Sequence, residues 1–218
     1  MWRPRAPFCN QDCAVALEIA IFVADAPPLI TLAAAQALDY LLLPELPVII
    51  PDAVFHEATS AADKLGAHEI LDWYRAHTNQ VRIEPTEIFD QEMLLREALP
   101  NRKPPRDLGE RAAIEIVRTY KLDDDARALL LSDDRDEERL LAIEPQKAIL
   151  LTTWDYLRQL EVAGRIQSAD EVMESVRSTG RNPPLRDLWS GHAPEIRDAV
   201  RAVIEGVRRG GNKAPQRR

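Results

Sequence analysis

Five short strand-like segments, four of them mainly apolar runs and each separated from the next by at least one helical stretch, constrain this chain more than any other feature. Residues 19–24 read Ile-Ala-Ile-Phe-Val-Ala, residues 47–50 close on Pro51, and residues 81–83 are briefer. Residues 126–131 make the clearest central strand, and residues 148–151 make the last. Short runs without polar alternation are buried on both faces, the condition of strands in a parallel sheet under helices. The intervening segments supply those helices. After Asp25, Pro27 and Pro28 fit a first helical turn that leads into the Ala/Leu-rich stretch 29–43. Asp52 leads into a helix through Val54, Glu57 and Ala58, and residues 67–77 and 87–99 keep helical periodicity. Asp107 is placed to cap a helix reaching Tyr120, while residues 137–143 and 152–164 follow the last two strands. The alternation predicts an α/β domain with a mainly parallel sheet covered on both sides.

With 218 residues, 45% of them hydrophobic, the chain suits one domain with decorations better than two. The expected division is an N-terminal extension over 1–18, the α/β domain over 19–166, a helical extension over 167–207 and a basic tail over 208–218. Pro183-Pro184 breaks the helical extension, and its last amphipathic helix covers 193–207. The tail is free of acids, so it reads as a disordered solubilising end or as an electrostatic lure for RNA. Arg3, Arg5 and the apolar stretch 14–24 imitate a secretory signal, but Glu18 interrupts the run. No run reaches the roughly 20 apolar residues of a membrane span. Cys9 and Cys13 lack the further ligands of a structural zinc site, and a reducing cytoplasm is expected. The net charge of −8 argues against a broad basic surface. It leaves room for an enzyme that gathers acids around a cation.

Several acids stand where a parallel α/β sheet collects ligands, at the carboxyl ends of strands and the helix starts beyond them. Asp25 follows the first apolar run, and Asp133 and Asp134 follow the central one. Glu110 lies in the first turn after Asp107, and Glu57 sits in a helix that begins just after a strand. Singly, each has an ordinary role as a helix cap, a dipole partner or a solvated acid. Together they would repel and oppose folding unless a cation neutralised them. An all-oxygen set without His or Cys selects Mg²⁺ or Mn²⁺ over zinc. The basic loop 100–106 offers Arg102, Lys103 and Arg106 as contacts for an RNA backbone, or serves as a solvated connector. Asp134-Arg135-Asp136 also has the Asp-x-Asp look of a haloacid-dehalogenase phosphatase, but Glu137 and Glu138 follow where Gly or Thr belongs.

At these positions the chain resembles the PIN-domain family, especially the branch related to VapC-type toxins. Asp25-Ala26-Pro27-Pro28-Leu29-Ile30 is similar to the opening of that branch, and Pro51-Asp52-Ala53-Val54-Phe55-His56-Glu57 to its second motif. Leu108-Gly109-Glu110-Arg111 resembles the third motif and Ser132-Asp133-Asp134-Arg135 the fourth, with Asp134 the better match and Asp133 a helper. The resemblance implies a PIN-like three-layer α/β/α sandwich and a Mg²⁺- or Mn²⁺-dependent endoribonuclease. In that reading Asp25, Glu57, Glu110 and Asp134 are catalytic, and the same four with Asp133 hold the metal. It further implies RNA as substrate, an antitoxin protein as partner, and a homodimer. Where the family places Ser, Thr or Asn just after the first Asp, this chain has Ala26-Pro27-Pro28. That departure keeps a second reading open, a catalytically inactive PIN-fold scaffold that binds RNA or protein. Trp189 reads as a core or interface anchor.

Overall fold

The computed structural model describes residues 17–103, 105–123, 125–134, 145–182 and 187–206. The expected helix 137–143, the Pro183-Pro184 break, both cysteines and the basic tail lie outside the described residues. Five strands form one sheet in which every pair runs parallel: β1 (Glu18–Ala24), β2 (Val48–Pro51), β3 (Val81–Glu84), β4 (Ala126–Leu131) and β5 (Ala148–Leu151). Their order is β3-β2-β1-β4-β5. The chain therefore builds outward from β1 in one direction, then returns to its other side. The reversal point lies between β1 and β4, where crossovers diverge and leave a crevice at the carboxyl ends.

Helices α1 (Ala26–Ala34), α2 (Asp52–Thr59), α3 (Ala67–Ala76), α4 (Glu87–Ala98) and α5 (Leu108–Thr119) fall in the first part of the chain. Helices α6 (Thr153–Val162), α7 (Ala169–Ser178) and α8 (Pro194–Ile204) follow β5. Strand periodicity divides the core between the two faces. Phe22 and Ala24 of β1, Leu129 and Leu131 of β4, and Ile149 and Leu151 of β5 point into a large core with Leu29, Ile70, Tyr156 and Met173. The alternate residues Ile21, Val23, Leu130 and Leu150 meet Ala113, Ile114, Ile116 and Val117 of α5 on the opposite face. Helices α7 and α8 add Ala169, Met173, Val200 and Ile204 to the larger core.

The expected helix 29–43 is divided. Helix α1 ends at Ala34, and a short 3-10 turn, Leu38–Leu42, follows. Gln36 takes the left-handed conformation at φ 54°, Ala37 N–H reaches back to the Leu32 carbonyl at 2.8 Å, and Gln36 N–H to Ala33 at 3.0 Å. This is a Schellman stop, normally built on glycine. An Ala/Leu run contains no local signal for it. Burial of Leu38 and Leu41 in the main core turns the chain there instead. Asp107 occupies the N-cap of α5 as expected but makes no side-chain capping bond. Among the described residues no helix is long and apolar enough to cross a membrane.

Candidate functional site

Backbone pairing aligns the ends of three strands. Asp25 N–H donates to the Leu131 carbonyl at 3.1 Å, and Ser132 N–H to the Leu151 carbonyl at 3.0 Å. Asp25 leaves β1 directly at the reversal point, as the N-cap residue of α1, and is 2% exposed. An N-cap carboxylate ordinarily accepts from the N–H of the second or third helical residue. Those residues are Pro27 and Pro28, which have no N–H, and the capping bond is not made. The carboxyl keeps the Ala26 N–H, and Ser132 Oγ approaches it at 3.5 Å. Burial, with the charges of Glu57, Asp133 and Asp134 nearby, pushes the Asp25 pKa up to about 7 against the Ala26 bond. Pro27 and Pro28 thus leave Asp25 short of compensating donors.

Glu57 comes from the exposed side of α2, and Gly109 of α5 brings it close to Asp25. A Cβ at Gly109 would stand 3.0 Å from Glu57 Oε2 and 3.4 Å from Asp25 Oδ1. The missing side chain is therefore the space the two carboxylates share. Partial burial raises the Glu57 pKa, while neighbouring Lys64 lowers it; Lys64 Nζ donates to the Glu57 carbonyl at 2.7 Å. Glu110 follows Gly109 in the first turn of α5, half-buried.

Asp133 and Asp134 have different surroundings. Asp133 Oδ1 accepts from Thr153 N–H at 2.9 Å and Oδ2 from Thr153 Oγ1 at 2.8 Å, which pins the start of α6 to the end of β4. Burial raises its pKa, opposed by the Thr153 bonds and by the charge of Arg181. Asp134 is half-buried, and its N–H donates at 3.1 Å to Ser132 Oγ, the hydroxyl that approaches Asp25. Next to this group Asp155, buried, closes a capping pair with Thr152 and accepts from Leu188 N–H at 2.9 Å. Asp155 is thus part of the α6 start and ties down the segment around Trp189, which packs on the main core.

Two charged residues depart from what local sequence suggests. Arg102 of the basic loop is bonded to Glu92 of α4, which also holds Arg96, so its guanidinium is already engaged within the chain. Arg181, in a stretch with no motif, lies beside the acids. Its Nε donates to Thr31 Oγ1 at 3.1 Å and its Nη2 to the Pro27 carbonyl at 3.2 Å. No local pattern around Gly180-Arg181-Asn182 would have singled it out.

The donor set tests the metal expectation. Among the described residues no three His, Cys, Asp or Glu side chains form a ready metal-holding group. That excludes a closed protein cage of the zinc type among them. Mg²⁺ keeps several waters and is commonly held by one or two carboxylates together with substrate phosphates. Asp25 and Glu57, sharing the space beside Gly109, meet that lesser demand. A family model described as a PIN domain matches residues 21–181. Comparison with curated proteins and with solved structures returns no match.

Proposed function

Because the chain belongs to the PIN-domain family, a nuclease-like fold, we propose that it is a Mg²⁺- or Mn²⁺-dependent endoribonuclease whose site is built on Asp25, Glu57, Glu110 and Asp134. The observation that carries this reading is Asp25: a buried carboxyl at the sheet's reversal point, denied its helix cap by two prolines and surrounded by further acids. Such a group is costly for the fold to keep ionised unless a cation arrives from outside.

Asp25 and Glu57 hold the cation, and Glu110 and Asp134 complete its surroundings. When bound, a divalent ion lowers the pKa of water and stabilises charge on phosphoryl oxygens, which is what phosphodiester hydrolysis requires. The protein's part is positional. Gly109 keeps the shared space open, Ser132 links the backbone of Asp134 to the Asp25 carboxyl, and Asp133, occupied by Thr153, orients the end of β4. The pKa near 7 of Asp25 also makes metal loading proton-linked, because the carboxyl must ionise to serve as a ligand.

Purified protein is expected to cut a mixed RNA pool with Mn²⁺, to stop with EDTA, and to stop in the Asp25→Asn and Asp134→Asn variants. Undiminished cutting in EDTA or by both variants would sink the reading. Its toxin assignment, with an antitoxin protein as partner, predicts growth arrest on induced expression that the Asp25→Asn variant does not cause. A second reading, a non-cutting scaffold, is favoured by the lack of a ready three-ligand group among the described residues. Titration calorimetry separates the two, since a scaffold should take up no Mn²⁺ that depends on Asp25.

A further inference from the structure

The described cations differ in what they are bonded to. Arg75, Arg96, Arg102, Arg158 and Arg177 each pair with a carboxylate. Arg165 bonds the carbonyls of Leu43 and Ile204, where the chain has returned to the amino edge of the sheet. Lys64 and Arg181 are the pair at the acids, and both are held by neutral acceptors: Lys64 by the Glu57 carbonyl, Arg181 by Thr31 Oγ1 and the Pro27 carbonyl. A neutral acceptor orients a cation without cancelling its charge. Arg181 is moreover fixed to the first turns of α1, the helix that begins at Asp25.

These cations flank the acids from opposite directions. Lys64 follows α2 and lies on the β2 side of β1, next to Glu57. Arg181 follows α7, on the side of β4, and its charge reaches Asp133. Nucleic acids are held chiefly through their phosphates by Lys and Arg. A net charge of −8 argues against a broad basic face for a duplex, so isolated cations at the acids suit one strand.

We infer that Lys64 and Arg181 contact the backbone phosphates on either side of the one at the acids. A single-stranded RNA then crosses the carboxyl edge of the sheet from the α2–α3 loop toward the end of α7. The choice of RNA rests on the nuclease reading above; the two contacts rest on the placement of the cations.

The test is fluorescence anisotropy of a labelled single-stranded RNA 15-mer in Ca²⁺ buffer over a range of salt, which reads binding whether or not the chain cuts. Lys64→Gln and Arg181→Gln should each raise Kd about 3- to 10-fold at low salt and reduce the slope of log Kd against log salt by about 0.7. Arg181→Lys should keep the slope. Lys64 is exposed, so its variant keeps the test decisive even if Arg181→Gln folds poorly. Wild-type Kd and slope in both Gln variants would overturn the inference. So would weaker binding with an unchanged slope, or a wild-type chain that binds no RNA. RNA bound through both residues yet left uncut in Mn²⁺ would uphold the track and refute the nuclease reading instead.

Discussion

Asp25 and Glu92 both have little accessible surface, 2% and 3% exposed, but Asp25 lies deep whereas Glu92 lies near the surface beneath Arg96 and Arg102, and their acidities move in opposite directions. On the flank of the molecule, the Arg102 hydrogen bond, assisted by Arg96, holds the Glu92 carboxyl below its ordinary value. At the carboxyl edge of the sheet, burial lifts Asp25 to about 7, and three further acids add to the effect. At Glu92 the fold supplies the counter-charge from its own chain. At Asp25 it supplies one backbone N–H and a distant hydroxyl. The contrast separates an acid that holds a loop in place from one whose charge is opposed by burial and by neighbouring acids.

The strongest challenge to that contrast is Asp25→Asn, expected to lower RNA cleavage in Mn²⁺ by roughly 100-fold or more, because a weakened hold on the cation leaves the charge on the phosphoryl oxygens without electrostatic support. Activity within a factor of two of wild type would place Asp25 with Glu92 as a structural acid. Gly109→Ala probes the shared space without removing any carboxylate. A Cβ 3.0 Å from Glu57 Oε2 should push the acids apart and cost on the order of 10- to 100-fold in cleavage, with the fold retained by circular dichroism.

The two acids should also leave opposite marks on stability against pH. Asp25 binds its proton more tightly folded than unfolded, so in metal-free protein its contribution is fully present below about pH 4 and is lost as pH rises toward 7. The slope over that window is roughly 1.4 kcal/mol per pH unit. Denaturant titrations of wild type and Asp25→Asn should differ by that slope, and saturating Mn²⁺ should change the pH slope of wild type but not of the variant. Glu92, with its pKa lowered, contributes above its ordinary value of 4.5 and loses that contribution as pH falls. The smallest effect is expected from Glu92→Gln: a lower melting temperature, with cleavage within about twofold of wild type. Loss of cleavage there would show that the α4 flank reports to the site.

Much of this architecture was legible before any coordinates. Apolar runs at residues 19–24 and 126–131 announced buried strands, which the fold places side by side, and Asp25, Asp133 and Asp134 stood at their ends. Other features were hidden for identifiable reasons. The stop at Gln36 follows from core burial and not from a glycine. Asp133 and Asp134 are neighbours of identical type, and nothing local shows that Asp133 would be the one bonded to Thr153. Arg102 looked available because Glu92 is ten positions away and gives no sign that it is the partner.

The sequence by itself determined the alternation of strands and helices, and with it the edge at which the acids had to collect, because periodicity and the reach of a strand are local properties. Which acid would be left uncompensated was decided only by the tertiary structure. Ser132 reaches Asp25 across 107 positions, and Arg181 reaches Thr31 across 150. A carboxylate's acidity is set by the burial and charges around it in space, and chain order leaves those neighbours open until the sheet has closed between β1 and β4.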